Sequence, residues 1–275
     1  MVRIVSDLVR FFCRRIIFAP AVFKIIVYFL IIIVGSLLNY YGLAPTSYLS
    51  SKTNVFNVYF AKLGWAWTTG LLLPFIFLTL MPTHTPRQIV MHHLVRLLIA
   101  TGIWYVITKF FVGLESYTGM CLQIESPVLS KRVCLKGGHK WQEGYDLSGH
   151  TFLLMYALLI INEEVKSYDK GQKKANTIQK SASAKTTARA AGEPATQTDA
   201  EKLNLVSKAT LVLYVLLAIL TVIWEFMLLS TALYFHHATH KIGAGVVAVA
   251  LWWATYRLWY RHDSSSILHP SSPKD

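Results

Sequence analysis

Two short polar stretches of this 275-residue chain bring together residue types that could do chemistry. The first, "DLSGH", ends at His150 directly before an apolar run; the second, "YFHHATHK", contains His236 and ends at Lys241. One imidazole can attack a phosphorus atom while another protonates the departing oxygen. The stretches therefore predict a phosphoryl-transfer site in which His150 and His236 are the catalytic residues.

Further residues of the same stretches predict how a phosphate would be held. Lys241, and the backbone N–H groups where the turn at Ser148 and Gly149 opens a helix, are candidate partners of phosphate oxygens. Gly149 lets the backbone come close, and Ser148 offers both a helix cap and a hydrogen-bond donor. Asp146 either caps the helix, which the sequence favours, or orients one imidazole. These four residues form the predicted substrate-binding set.

A metal centre is the alternative chemistry for the second stretch. His236 and His240 are four residues apart, which suits a pair of metal ligands on one helix face. A histidine-rich membrane oxygenase would be the specific form of this hypothesis. Such a site usually needs more ligands, and the chain divides its ten histidines between two membrane faces. The sequence therefore favours a site without a metal or another cofactor.

Apolar helices must position these residues. The composition is 54% hydrophobic, and several runs approach the roughly 20 apolar residues that a membrane-spanning helix needs. The predicted spans are Val22–Leu38, Trp65–Met81, Leu94–Gly113, Thr151–Val165, Ala209–Phe235 and Ile242–Tyr260. We expect an all-α integral membrane protein of about six transmembrane helices, forming one membrane domain over residues 1–275.

Charged residues in these runs carry expectations of their own. Arg96, near a helix end, is expected to snorkel to the membrane surface. Glu163 and Glu164 close the short fourth run and are expected to be solvated. Glu225 lies at membrane depth, where a carboxylate is functional by default or else protonated and hydrogen-bonded.

The distribution of the +13 formal charge predicts the orientation of the chain. Basic residues are concentrated before the first span and between Lys166 and Lys208. Six crossings put both regions, and both termini, on the cytosolic side, as the positive-inside rule expects. Membrane topology thus accounts for the charge better than nucleic-acid binding does. His150 and His236 then share the opposite face with Cys121 and Cys134, where a disulfide is chemically permitted.

Two polar segments stand apart from the membrane domain. Residues 166–202 contain almost no large apolar side chain and are expected to form a flexible cytosolic linker. Residues 262–275 are expected to form a disordered tail.

The chain resembles the fat storage-inducing transmembrane family of endoplasmic-reticulum proteins. The resemblance lies in "YDLSGHTFLL", "YFHHATHK", "SYLSSKTNVFNVYFAKLGWAWT", "ESYTGMC" and "GAGVVAVALWWATYRLWY". That family is in turn similar to lipid phosphate phosphatases, which implies a phosphatase-like helical bundle with His150 as general acid and His236 as nucleophile. The roles of the two histidines could also be reversed.

The resemblance implies a membrane enzyme of the endoplasmic reticulum. The implied reaction cleaves the diphosphate of fatty acyl-CoA at the luminal face, giving acyl 4′-phosphopantetheine and adenosine 3′,5′-bisphosphate. The implied cellular role is lipid-droplet formation and maintenance of membrane lipids. The alternative is a non-catalytic protein that binds diacylglycerol and triacylglycerol and partitions them into droplets.

The chain departs from the phosphatase pattern in its cations. It has no K-x6-R-P element and no Ser-Arg pair before the second histidine. His240 stands where the phosphatases have an Asp, four residues after His236. Phosphate binding is therefore expected to rest on fewer cations than in those enzymes.

Overall fold

Helices dominate the architecture. A computed structural model of the chain describes residues 11–80, 87–122, 131–166 and 197–260. The helices are α1 (11–17), α2 (Ala21–Tyr40), α3 (Gly64–Leu80), α4 (Arg87–Thr118), α5 (Lys131–Lys136), α6 (149–166), α7 (Gln197–Tyr234) and α8 (Ala238–Trp253). A π-helical segment, Phe56–Ala61, precedes α3, and another, Ala254–Trp259, continues α8. The all-α class is confirmed.

The long apolar helices confirm a multi-pass membrane protein. In the described part of the chain, the stretches long and apolar enough to cross a bilayer are Ala21–Tyr40, Met91–Thr118, Leu205–Tyr234 and Ala238–Trp259. Gly64–Thr79 is a shorter apolar helix. The described residues of all six predicted runs are helical except Phe235, which follows α7, but the short runs leave the count of six spans a prediction.

The expected linker and tail lie mostly outside the described residues. Residues 167–196 and 261–275 are not described. Helix α7 begins at Gln197, so residues 197–202, which were expected to belong to the linker, are helical. The division into a membrane domain, a linker and a tail stays a prediction.

Helix α6, which begins just before His150, is enclosed by its neighbours. Every residue from Thr151 to Asn162 is buried. Trp65 of α3 stacks on Tyr156 with ring centroids 5.8 Å apart. A helix that is apolar on all sides belongs inside a bundle rather than at its surface. Helix α6 is therefore the central element that positions His150.

The other end of α6 is held by a buried charge cluster. His93 Nδ1 lies 2.6 Å from one oxygen of Glu164, and the Tyr256 hydroxyl donates to the other oxygen at 2.7 Å. Arg96 Nε lies 3.9 Å from the same carboxylate. Glu164 and Arg96 are only 2% and 3% exposed, so the expectations of a solvated Glu164 and a snorkelling Arg96 were wrong. A buried carboxylate is tolerated here because it is paired and hydrogen-bonded.

A second polar contact joins α2 to α7 at membrane depth. Lys24 Nζ lies 3.3 Å from Glu225 Oε1, and the Tyr28 hydroxyl donates to the same oxygen at 2.9 Å. Close packing continues along this pair, where a Cβ on Gly35 would lie 2.7 Å from Ala232 Cβ. Glu225 is thus hydrogen-bonded, as one of the two expectations requires, whereas its functional role stays a prediction.

A small disulfide-bonded cap follows α4. Strand β1 (Met120–Cys121) pairs antiparallel with β2 (Trp141–Gln142), and α5 lies between them in the chain. Cys121 and Cys134 form a disulfide with an S–S distance of 2.05 Å. Lys131 at the start of α5 donates to Glu115 of α4 at 3.0 Å. The cap is thereby fastened to the end of α4, beside the segment that leads to α6.

Candidate active site

The segment before α6 is held against the end of α4. The Tyr145 N–H donates to Thr118 Oγ1 at 2.7 Å. At Gly144 the two backbones come so close that a Cβ would lie 2.4 Å from the carbonyl oxygen of Glu115. Only glycine fits such an approach, because any side chain would displace α4. These contacts hold the backbone just before Asp146 against the C-terminal end of α4.

Ser148, not Asp146, caps α6. The Thr151 N–H donates to Ser148 Oγ at 3.3 Å, and the Thr151 hydroxyl lies 2.9 Å from the same atom. This is the N-cap role that serine fills well. Ser148 is fully buried, so a hydrogen bond from its hydroxyl to a phosphate stays a prediction. The capping role that the sequence favoured for Asp146 was wrong, and its carboxylate is left for another partner.

The turn between α7 and α8 presents His236. Helix α7 ends at Tyr234 and α8 begins at Ala238, which leaves a three-residue connection. His236 has a φ of 54° and is the non-glycine residue with positive φ in the described chain. This left-handed conformation is uncommon for side chains with a Cβ, and it persists where surrounding contacts impose it. The turn therefore sets the backbone position from which the His236 side chain leaves.

Direct contacts join the two loops. The Ser148 N–H donates to the His240 carbonyl at 3.3 Å. The Tyr145 ring meets the His240 ring edge-on with centroids 4.7 Å apart. The first turns of α6 and α8 are thus held side by side, which brings His150 and His236 to the same end of the bundle.

The Asp146 carboxylate lies within hydrogen-bonding distance of His236. The distance from Asp146 Oδ2 to His236 Nδ1 is 3.1 Å. A carboxylate at Nδ1 favours the tautomer with hydrogen on that nitrogen, which leaves the lone pair on Nε2. The structure thus shows the contact that the second role considered for Asp146, orienting an imidazole, requires.

The charges around His236 favour its neutral form. Burial is the largest cause that lowers its pKa below the ordinary value, and Asp146 acts against burial. The nearby positive groups lower it further; they are His240, Lys241 and Lys52. A lowered pKa favours the neutral imidazole, which is the form that nucleophilic attack would require.

His150 lies close enough to His236 for the two charges to interact. It is the second residue of α6, just before the predicted span Thr151–Val165. Burial is the largest cause that lowers the pKa of His150 to about 4, followed by the charge of His236. Lys62 acts in the same direction. The repulsion between the two charged forms disfavours protonation of both rings at once.

Lys241 occupies a different position from the one its predicted role requires. Its side chain is fully buried, and Nζ donates to the Ala232 carbonyl in the last turn of α7 at 2.6 Å. A lysine at a helix C-terminus satisfies a carbonyl that has no partner within the helix. Lys241 therefore ties α8 to α7 across the turn that carries His236. Its direct contact with phosphate stays a prediction that requires the ammonium group to be uncovered.

Two lysines that the sequence did not single out lie near the histidines. Lys52 and Lys62 are exposed residues of the connection from α2 to α3. The charge of Lys52 acts on His236 and that of Lys62 acts on His150. Both follow the first predicted span, which the six-span topology puts on the same membrane face as His150 and His236. A sequence separation of more than 80 residues from either histidine nevertheless concealed these pairings. The chain lacks the basic residues of the phosphatase motifs, and these two lysines provide positive charge near the histidines instead.

Gly149 offers open backbone at the start of α6. A Cβ placed on Gly149 would have no atom within 4 Å. The first N–H groups of a helix have no partner within the helix, and they favour anions. An anion could therefore approach the helix end at Gly149 without displacing protein atoms.

Metal ligands do not gather at this site. In the ranges that the structure describes, no group of three or more His, Cys, Asp and Glu side chains is arranged to hold a metal ion.

Known proteins are similar to this chain over most of its length. Residues 45–256 match the family described as "Fat storage-inducing transmembrane protein". The Homo sapiens protein "Acyl-coenzyme A diphosphatase FITM2" is 37% identical over 246 residues, which cover 86% of this chain and 82% of the relative. The protein of the same name from Danio rerio is 33% identical, over 85% and 82%. The one from Drosophila melanogaster is 31% identical, over 90% and 60%.

No solved structure matches this chain. The family model covers well over half of the sequence, and several relatives exceed 30% identity across most of both chains. The chain belongs to the fat storage-inducing transmembrane protein family.

Proposed function

We propose that this protein is a membrane-bound hydrolase that cleaves the diphosphate of fatty acyl-CoA. The products are acyl 4′-phosphopantetheine and adenosine 3′,5′-bisphosphate. The observation that carries the chemistry is the pairing of His236 Nδ1 with Asp146 at 3.1 Å, beside a second imidazole, His150. The substrate class is supported by the printed name of the relatives, acyl-coenzyme A diphosphatase.

The first step forms a covalent intermediate on His236. Its unprotonated Nε2 attacks one phosphorus atom of the diphosphate, and the bond from that phosphorus to the bridging oxygen breaks. Protonated His150 gives its proton to the departing oxygen. A bound diphosphate raises the pKa of a nearby imidazole, so substrate binding charges the acid at the moment it is needed.

The second step restores the enzyme. Neutral His150 removes a proton from a water molecule, the water oxygen attacks phosphorus, and the bond to His236 Nε2 breaks. The two steps together consume one water and cleave one phosphoric anhydride bond. Lys52, Lys62 and the N–H groups at Gly149 hold the phosphate oxygens, whose negative charge they attract.

We place the site on the luminal side of the endoplasmic-reticulum membrane, with both termini in the cytosol. The distribution of basic residues supports this orientation. The disulfide between Cys121 and Cys134 lies in the cap beside the site, and such bonds persist in oxidising compartments. The implied role in lipid-droplet formation and membrane-lipid maintenance belongs to this proposal.

Neutral-lipid binding is the second candidate function. The Glu225 carboxylate, paired with Lys24 and Tyr28, is 35% exposed on a membrane-spanning helix. An acceptor at that depth could take a hydrogen bond from the hydroxyl of diacylglycerol, whereas triacylglycerol offers only apolar contact and ester acceptors. Saturable diacylglycerol binding that is lost in Glu225→Gln and kept in His236→Ala would favour this function over hydrolysis.

Removal of either histidine should abolish turnover without unfolding the protein. We expect purified His236→Ala and His150→Ala to release adenosine 3′,5′-bisphosphate from oleoyl-CoA at least about 100-fold more slowly than the wild type, because each removes a reacting group. His237→Ala is the matched control, since that exposed neighbour in the same turn should keep activity within about twofold. Full activity in both active-site variants, with or without a chelator, would contradict the proposed reaction.

The pH profile should report His236. Because nucleophilic attack needs the neutral ring, kcat/KM should be lost as pH falls, with a midpoint below the ordinary histidine pKa of about 6.5. Asp146→Asn should lower kcat by about 10²- to 10⁴-fold by favouring the wrong tautomer. The same change should move the acidic limb to lower pH, because Asp146 raises the pKa of His236. An unshifted limb with an unchanged kcat would remove Asp146 from the mechanism.

Loss of the exposed lysines should weaken substrate binding. Lys52→Ala and Lys62→Ala should each raise KM for oleoyl-CoA by about two- to fivefold, as expected for one exposed charge pair. The effect should shrink at high salt, which screens such pairs. Lys136→Ala, an exposed lysine of the cap, is the control and should leave KM unchanged. A KM independent of all three lysines would place the phosphates elsewhere.

Cysteine accessibility should report the orientation. In sealed microsomes that carry a Cys13→Ser variant, a membrane-impermeant maleimide should modify the chain only after both reductant and detergent are added. Detergent is required because the proposed topology puts Cys121 and Cys134 in the lumen, and reductant because they are bonded. Modification in intact vesicles treated with a reductant that stays outside would reverse the proposed orientation.

A further inference from the structure

A cavity of about 260 Å³ lies beside the two histidines and has no role in the steps above. It is bounded by the end of α4, the cap and the first turn of α6. Asp146 and Gly149, which flank the reacting centre, form one side of it. Its volume falls just below the roughly 300 Å³ at which sites for small ligands begin, so it suits one part of a larger molecule.

The polar wall of the cavity is acidic. Glu115 and Glu143 face it together with Asp146, and Lys131 is the basic residue among them. Lys131 Nζ is already engaged, at 3.0 Å from Glu115 and 3.9 Å from Glu143. Three carboxylates against one ammonium group disfavour the adenosine bisphosphate half of acyl-CoA relative to an uncharged group. Carboxylate oxygens instead accept hydrogen bonds from neutral amides.

The remaining wall is apolar and reaches the membrane. Phe111 is buried against Phe152 of α6, with ring centroids 5.5 Å apart. Val112 lines the cavity and is 67% exposed on the outer face of α4, which is a membrane-spanning helix. Thr108 lies one helical turn below it, about 10 Å along the axis from Glu115. The lining therefore changes from carboxylates at the site to apolar surface within the bilayer.

We propose that this cavity binds the uncharged acyl-pantetheine arm of the substrate and leads its acyl chain past Val112 into the bilayer. The amides of the arm meet Glu115 and Glu143, and the alkyl chain follows α4 towards Thr108. Lys52 and Lys62 lie outside the lining of the cavity and attract the nucleotide half. The two halves of the substrate are thereby separated by charge across the histidine pair. This inference rests on the proposed acyl-CoA diphosphatase function.

Chain-length selectivity tests the inference. Thr108→Phe fills the membrane end of the cavity, and the ratio of KM for oleoyl-CoA to KM for butyryl-CoA should rise about tenfold or more. Val112→Trp should raise the same ratio. Because Val112 is highly exposed and tolerates a large side chain, this variant replaces Thr108→Phe if the latter does not fold. Val106→Phe is the matched control, because Val106 is 61% exposed on the same helix and does not line the cavity. A ratio unchanged in both cavity variants would overturn the proposal.

A binding experiment separates failure of this inference from failure of the proposed reaction. His236→Ala, which cannot turn over, is irradiated with an acyl-CoA that carries a diazirine near the end of its chain. Crosslinks should fall on residues 108–115 of α4 and be competed away by oleoyl-CoA. Crosslinks confined to other helices would overturn the subsite even if the wild type is active. If crosslinks fall on α4 but the wild type shows no hydrolysis, the subsite is supported and the proposed reaction is contradicted.

Discussion

The contact between Asp146 and His236 is the interaction on which the site depends. It joins two loops that are 90 residues apart in the sequence, at 3.1 Å. It also selects the tautomer that leaves Nε2 free. Burial alone would favour the neutral ring but would not select one of its two tautomers. Ser148 caps the N-terminus of α6, and His236 takes a left-handed backbone conformation in its turn. Both features help to hold the two loops where the carboxylate can reach the ring.

Helix α6 gives this contact a rigid base. One end of the helix is capped by Ser148, and the other carries Glu164 in a buried cluster with His93 and Tyr256. Breaking a buried ion pair leaves an uncompensated charge and costs about 3–5 kcal/mol. A shift of α6 along its axis would break both attachments together, so the position of His150 is fixed from both ends. Between these ends, buried Asn162 adds a further attachment, because its Nδ2 donates to the Ala19 carbonyl at 3.1 Å.

Part of this arrangement could be predicted from the sequence. Apolar length identified the helices, and charge asymmetry put His150 and His236 on one face without further information. The partner of Asp146 could not be predicted, because Asp and Ser are both good caps and only the path of the backbone decides between them. Lys241 was the evident phosphate ligand by type, yet the helix end beside it takes its ammonium group. Glu164 appeared to be a solvated terminus because its partners come from two distant helices.

A single-turnover experiment that seeks the covalent intermediate tests the central claim most directly. The full-length protein is mixed in excess with oleoyl-CoA, quenched in base, which preserves phosphohistidine, and analysed by peptide mass spectrometry. The account predicts a transient adduct on the peptide that contains His236, in which one half of the substrate is joined to the ring through its phosphorus atom. The adduct should form with release of the first product, disappear with release of the second, and be absent from Asp146→Asn on the same time scale. Product formation with no adduct at any time, or an adduct on His150, would contradict it.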